Sequence, residues 1–517
     1  MSNAIVKNLS FGLDAKDNVF AGITKLTQAV SSTLGASGKC VILEDNTGNP
    51  IITKDGVTVA NSIILRDPVE NMGATLLKEA ARKTVKEAGD GTTTATVLAH
   101  SILTEAYKLN NINTRELKSG IEKALNKIIE YLEKHSVKVS GDMIDNVATI
   151  STNNDSKLGS IIADAFRSVN ETGVVTMEPT TESETKVEIV NGVEYDKGLI
   201  NMAFVTNKTN NTSELDNPLI LLIESQVDNI RKIQNILEHV IKSKQPLLII
   251  GDCEPAVVSA LAMNKIKGNI KVNVINAPTY GINKKDMLSD LALLTGATVI
   301  NEDLGDDINL ITPSMLGVCT KSTTSENETI IQVDTEKDEV KNLIEEIKQK
   351  LSITKNPIDV VRLEKRLSRL SAKVAVVKVG ANSEIELKEK SDRVEDAICA
   401  TKAAIKEGIV AGGGIALLNA ASFLKYKSKE EQVLCEAIKA PFKIILENAG
   451  VKNYDVPTVK GKGLDVVTGN MVNMIDSGIV DPLLVTKSAL KNAVSVATTI
   501  LSTDCVINNL RIDESNR

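Results

Sequence analysis

Between Gly89 and Ala99 the chain reads Gly-Asp-Gly-Thr-Thr-Thr-Ala-Thr-Val-Leu-Ala, so two glycines, one acid and three hydroxyls fall within six residues. Glycine accepts left-handed backbone and lets a ligand approach the main chain closely. A helix starting at the threonines would point unsatisfied N–H groups and its positive dipole end outward, a seat for phosphate. Asp90 is the kind of ligand Mg²⁺ takes alongside water and phosphate oxygens. The same residues also suit a plain capped helix start, since Asp and Thr are ordinary caps. No Walker-type loop accompanies them, because Gly35-Ala36-Ser37-Gly38-Lys39 has the wrong spacing and runs into Cys40. A nucleotide site would therefore be assembled from several separate segments.

The elements that must position such a site can be read from apolar periodicity. Residues 12–34 and 69–135 read as amphipathic helices, with Ala80, Ala81 and Val85, then Val97, Leu98 and Ile102, recurring near helical spacing. Between them, Gly48-Asn49-Pro50 and Asp55-Gly56 punctuate a short strand-like piece. The middle changes character. Short apolar runs at 219–223, 247–250, 272–275 and 297–300 alternate with helical segments such as 229–242 and 256–267. That alternation predicts an α/β domain. Val340, Leu343, Ile344, Ile347 and Leu351, then Leu363, Leu367 and Leu370, mark a helical hairpin turning near Asn356-Pro357. From about 385 helices return, broken by Gly412-Gly413-Gly414. The ends resemble each other and the middle differs, which predicts a helical base carrying an inserted α/β domain.

Composition narrows the function. At 517 residues the chain exceeds one core, so two to four domains are expected. Sixty basic against 67 acidic residues, net −7, with no basic tract, argues against a nucleic-acid binder. Aromatics are 2% and Trp is absent, so stacking platforms for single strands are not expected either. Six scattered cysteines without a C-x-x-C suggest reduced thiols in a cytoplasmic protein, and the three histidines form no metal spacing. The first 11 residues lack a signal-peptide core, and no apolar run is long enough to span a bilayer.

From about residue 4 to about residue 507 the chain resembles the group I chaperonins, the bacterial GroEL type. The matching signatures are Thr33-Leu34-Gly35, Ile52-Thr53-Lys54-Asp55-Gly56-Val57, Glu70-Asn71-Met72-Gly73-Ala74 and the Gly89-to-Thr94 stretch. They continue with Arg393-Val394-Glu395-Asp396-Ala397, Val410-Ala411-Gly412-Gly413-Gly414, Asn473-Met474-Ile475-Asp476 and Asp481-Pro482. The resemblance implies a multi-domain α and α/β chaperonin fold: a helical equatorial ATP-binding domain (1–137 and 407–517), a small intermediate hinge domain (138–190 and 374–406) and an α/β apical domain (191–373). It also implies an ATP-dependent chaperone, a chaperonin ATPase using ATP, Mg²⁺ and K⁺. Its partners would be non-native polypeptides, a GroES-type lid and other copies of itself in a heptameric ring, single or double.

Site residues carry over from the resemblance position by position. Thr33, Leu34 and Gly35 resemble the segment along the phosphates, and Gly91, Thr92, Thr93 and Thr94 the phosphate cradle. Asp90 resembles the Mg²⁺ ligand, and Lys54 with Asp55 the pair near the terminal phosphate. Gly413 resembles the glycine beside the nucleoside, Asp481 the ribose contact, and Asp465, Val466 and Val467 the residues near the base. Asp396 resembles the acid that orients or activates the attacking water, with Asp55 as its catalytic companion. Taken alone, Asp396 also reads as a surface acid paired with Arg393 on one helix face.

A client- and lid-binding rim is implied at Leu199, Ala203 and Phe204, at Gln234 and Leu237, and at Val258, Ala262 and Met263. Flexible apolar side chains suit promiscuous binding. From periodicity alone the same positions read as core. The chain departs from the family pattern at several points. Ala36 and Ser37 replace a Pro-Lys pair, Lys138 stands for a hinge proline, Ala372-Lys373 for a hinge glycine pair, and Gln234 for an apolar residue. The segments near 109–113, 425–431 and 451–462 are shorter, and the chain ends at Asn516-Arg517 without a Gly-Gly-Met tail. These departures motivate an alternative: a chaperonin-derived binding or assembly protein, of phage or cellular origin, without a full encapsulation cycle.

Overall fold

The computed structural model describes residues 7–509 apart from 45–47, 49, 110–112, 140, 153, 170–173, 181, 196, 209–210, 278–281, 303–304, 334–337, 453, 455–458 and, between 354 and 372, all but 356, 359, 363, 366, 367 and 370. The chain splits into two compact units. One comprises Met1–Ala163, Met177–Lys186 and Val379–Arg517, and the other Asp164–Thr176 with Val187–Lys378. The first is thus built from both ends of the chain and the second from its middle.

The first unit is a helical assembly. Its long helices are Gly12–Ser31, Pro68–Ala88, Thr92–Tyr107, Thr114–Lys134, Glu384–Glu407 and Leu483–Leu501. The span expected as helix over 69–135 is broken where the sequence places its breakers. Gly89 caps the Pro68–Ala88 helix in left-handed backbone, and Asn113 caps the next but one by accepting from the Arg115 N–H. Asp67 caps Pro68–Ala88 at its start, with Pro68 at the first helical position. The shared core is aliphatic and rich in alanine. Ile23, Leu26, Leu77, Leu98, Ile102, Ile121, Ile128, Leu434, Leu490 and Ala493 are all fully buried in it. Small residues let helices approach. A Cβ on Gly73 would stand 2.1 Å from the Val19 carbonyl oxygen of the neighbouring helix.

Short two-stranded sheets finish this unit. Lys7–Phe11 pairs antiparallel with Cys505–Asn509, joining the two ends of the chain. Val41–Glu44 pairs with Pro50–Thr53, and Ile409–Ala411 with Val480–Pro482. The strand-like piece expected after Gly48 is the second arm of that first hairpin.

The second unit holds two sheets. The first is built on Leu219–Ile223, Leu247–Ile250 and Val272–Ile275, which run parallel and are buried throughout. Val299–Ile300 adds in parallel and Gly317–Val318 antiparallel, both on Leu219–Ile223. Near-continuous apolar runs are what a parallel sheet covered on both faces requires. Helices Gln234–Ser243, Pro255–Ile266 and Ile282–Thr295 supply the connections. The second sheet has six strands and includes Lys186–Tyr195, Ser213–Asp216, Lys321–Thr324, Thr329–Gln332 and Lys373–Val379. The three strands toward one edge carry buried hydroxyls: Ser213, Ser322, Thr324 and Thr329 are all fully buried. Asn273, also buried, donates to Thr324 Oγ1 at 2.8 Å. Of the expected helical hairpin, the Asp338–Ile353 arm is present; most of the second arm lies outside the described residues. So do 110–112, 453 and 455–458 within two of the shortened segments, and the chain's last eight residues.

Candidate functional site

The first unit contains a cavity of about 390 Å³, and every lining residue belongs to that unit. Its floor is the start of the Thr92–Tyr107 helix. The N-cap there is Gly91, at φ +94°, with no side-chain cap. Any other residue would be strained at that angle, and a Cβ would stand 2.7 Å from Val485 Cγ1. With no side chain closing the helix end, its first N–H groups are left to bind something else. Thr93 Oγ1 lies 3.4 Å from Thr33 Oγ1, which places the Thr33-Leu34-Gly35 turn beside this end.

Asp55 stands on another wall as the N-cap of Gly56–Ser62. Its Oδ1 accepts from the Val57 N–H at 3.0 Å and its Oδ2 from the Thr58 N–H at 2.7 Å. These bonds fix the carboxylate's direction and leave each oxygen with a lone pair to spare. Lys54 sits next to it, and burial lowers its pKa, with Arg393 adding to the effect and Cys40 and Glu389 opposing it. The Glu384–Glu407 helix supplies a further wall. Glu389, Asp392, Arg393 and Asp396, spaced three and four apart, all reach the cavity. Arg393 Nη2 donates to Glu389 Oε2 at 2.8 Å, so the plain pairing of Asp396 with Arg393 is not the one that forms.

The carboxyl groups gathered here raise one another. Burial, opposed by the Gly91 N–H and reinforced by Asp55, lifts Asp90 above the usual carboxylate range. Burial first, then the charges of Asp90, Asp55, Glu395 and Asp392, hold Asp396 well above it. Asp392 is pushed up to about 6, by burial and then by Asp55. Asp481 is pushed up to about 7, by burial and then by Asp90. A cavity that concentrates acids in this way is completed electrostatically by a cation. Among the described residues no three His, Cys, Asp or Glu side chains stand together as a metal shell. Mg²⁺ is usually held by one or two carboxylates with phosphate oxygens and waters, and Asp90 is one of the carboxylates lining this cavity.

All the residues that the sequence assigned to nucleotide line this cavity: Thr33, Leu34, Gly35, Lys54, Asp55, Asp90, Gly91, Thr92, Thr93, Thr94, Asp396, Gly413, Asp465, Val466, Val467 and Asp481. Asp465 is largely occupied with its own turn, accepting from the Val467 N–H at 2.9 Å and from Thr468 Oγ1 at 2.6 Å. Val467 is exposed at the tip of that turn. The sequence reading did not assign Glu389, Asp392 or Arg393 to the cavity, although helical spacing from Asp396 could have placed them there. It also missed Ser151 and Asn154, which carry no local signal, and the apolar wall of Leu464, Met474 and Ile479.

The rim residues of the second unit separate into two groups. Met263 is 55% exposed, Gln234 is exposed, and Leu199, Ala203, Leu237 and Val258 are half-buried. Phe204 is completely buried and Ala262 nearly so, both packed into the core beneath the parallel sheet's helices. This corrects their assignment as rim contacts, because they support the surface without offering any. Gln234 Nε2 donates to Glu238 Oε1 at 2.8 Å, which makes that stretch polar. The sequence reading passed over Met202 (61% exposed) and Ile266 (68%).

Comparison with known proteins adds two findings. The sequence model of the TCP-1/cpn60 chaperonin family matches residues 26–511. Two crystal structures of the chaperonin gp146 from the bacteriophage EL 2 (Pseudomonas aeruginosa), both in the presence of ATP-BeFx, share the architecture at 22% identity. Crystal form II gives a TM-score of 0.74 over 99% of this chain and 100% of that one. Crystal form I gives 0.65 over 97% and 99%. At that identity the likeness speaks for the fold. No helix among the described residues is long and apolar enough to cross a membrane.

Proposed function

The chain belongs to the TCP-1/cpn60 chaperonin family, and from that premise we propose that it is an ATP-dependent molecular chaperone, one that binds non-native proteins in a ring cavity and promotes their folding under a GroES-type lid. The observation that carries this reading is the convergence, on one cavity, of a helix N-terminus at Gly91 that no side chain caps with the acids Asp55, Asp90, Asp392, Asp396 and Asp481. Phosphoryl transfer needs positioning and charge neutralisation more than covalent help. In this reading the Gly91-to-Thr94 backbone, through the N–H groups of Thr92 to Thr94, and the Thr33-to-Gly35 turn bind the phosphates. Asp90 holds Mg²⁺, with K⁺ as an accompanying ion. Lys54 neutralises the terminal phosphate, and Asp55 and Asp396 orient the attacking water. Gly413 and Asp481 seat the nucleoside, with Asp465, Val466 and Val467 toward the base. That the phage chaperonin was crystallised in the presence of ATP-BeFx supports a nucleotide-binding reading of this fold.

In the same reading the equatorial domain (1–137 and 407–517) lies within the first unit and the apical domain (191–373) within the second, while the intermediate domain (138–190 and 374–406) is shared, with 164–176, 187–190 and 374–378 in the second unit. Assembly of copies into a ring is supported by apolar surface on sheets too small to stand alone. Phe11 is 60% exposed and Ile507 54% on the terminal pair of strands, and Ile42 is 71% exposed on the hairpin. Two-stranded sheets are marginal by themselves, and exposed apolar edges call for cover. A second reading, a dedicated binding or assembly protein without full encapsulation, is favoured by the polar Gln234–Glu238 stretch within the rim.

Rescue of several unrelated denatured enzymes, with and without Mg-ATP and a GroES-type lid, separates the two. Rescue of unrelated clients that needs both ATP and lid is the expected result. Capture without release would favour the dedicated binder.

A further inference from the structure

Arg393 has no role in the account so far, yet its surroundings are unusual. It lies on the Glu384–Glu407 helix one turn before Asp396, on the face that lines the cavity. Its side chain is only about a quarter exposed, and its one ion pair among the described residues runs back along its own helix to Glu389. Its Nε is buried and has no hydrogen-bond partner among the described residues. An arginine that serves only to pair with a surface glutamate does not bury a donor without satisfying it, because an orphaned donor costs about 1–3 kcal/mol. The cavity also presents far more carboxylate than cation, with Lys54 the other basic side chain lining it. Lys54 and Arg393 are close enough to depress the lysine's pKa, so they face a common volume.

We propose that Arg393 binds the terminal phosphoryl group of the nucleotide through its fork of donors, with Glu389 holding it in reserve when that group is absent. The proposal rests on the nucleotide reading of the cavity. A guanidinium matches phosphate oxygens two at a time, and it neutralises charge that spreads over the equatorial oxygens during transfer. Arg393 makes and breaks no covalent bond. Because it shares a helix with Asp396, the cation for the phosphate and the acid for the water are positioned by one rigid element. This also accounts for Glu389, which would otherwise add one more repelling carboxylate to an acidic cavity.

Calorimetric titration of the full-length protein with Mg-ADP, and with Mg-ADP plus aluminium fluoride as a mimic of the transferring phosphoryl, tests it in wild type, Arg393→Gln, Arg393→Lys and Glu389→Gln. Arg393→Gln should bind ADP within about twofold of wild type and lose at least about tenfold toward the fluoride complex, the scale of one charge-assisted contact. Arg393→Lys should recover only part of that loss, because lysine lacks the fork. Glu389→Gln should bind the fluoride complex as well as wild type or better. Equal affinities for the fluoride complex in wild type and Arg393→Gln would overturn the proposal, as would a parallel loss of ADP. If wild type itself bound neither ligand, the nucleotide reading would fail instead.

Discussion

The cavity of the first unit and the rim of the second place opposite demands on sequence. The cavity needs particular atoms: an uncapped helix end at Gly91, a left-handed backbone angle, carboxylates at fixed positions. Few residue types meet those demands, so each leaves a mark in the sequence. The rim needs only apolar surface on a helix, and apolar residues on a helix are also what cores are made of. Phe204, completely buried, and Met202, 61% exposed, stand two residues apart with little in their types to tell them apart.

The largest expected effect is at the cavity. Asp396→Ala should slow ATP hydrolysis by about a hundred- to ten-thousand-fold, the usual range for a positioned acid or base. Nucleotide affinity should stay near wild type, so single-turnover rates measured beside binding isotherms separate the two. Phe204→Ala comes next and acts on stability alone, at about 3–5 kcal/mol for an emptied aromatic site in a core. Thermal and denaturant unfolding would measure it. If it instead abolished client capture without lowering stability, the burial of Phe204 in the core would not describe its role.

Gly91→Ala should cost about 1–3 kcal/mol from backbone strain alone, apart from the close approach to Val485. Unlike Phe204→Ala, it should also weaken nucleotide binding, and calorimetry against a melting curve shows both. Asp392→Asn sharpens the electrostatic side. The folded-state value of Asp392, about 6, lies above its unfolded value, so its ionisation opposes folding. That penalty grows as pH rises from about 4 to about 6 and then levels off. The amide should therefore stabilise the nucleotide-free protein at neutral pH, and the gain should vanish in acid. The smallest effect is at the rim. Met263→Gln should leave stability within about 0.5 kcal/mol, as surface changes do, while lowering capture of a denatured client a few-fold in a light-scattering assay.

The contrast also explains what was legible. The parallel sheet was readable because Leu219–Ile223, Leu247–Ile250 and Val272–Ile275 are apolar at every position. The six-stranded sheet was not, because Ser213–Asp216 and Lys321–Thr324 alternate in burial but put Ser213, Ser322 and Thr324, not apolar residues, at most of the buried positions. The helix over 69–135 was readable as helical but not as three helices until Gly89 and Asn113 were given their capping roles. In the cavity, Asp396 drew attention through its motif, whereas Asp392 and Glu389 differ from ordinary surface acids only in what the folded chain brings opposite them. Helical spacing from Asp396 places them on its face of the helix, but what that face meets depends on segments far apart in sequence.

The central claim is that nucleotide chemistry in the first unit drives a folding cycle. Its most direct test is the refolding yield of an aggregation-prone enzyme with Mg-ATP and a GroES-type lid, in wild type and Asp396→Ala side by side. The account predicts repeated rescue by wild type and at most one round of client release from the variant. Equal yields from the two proteins would contradict it.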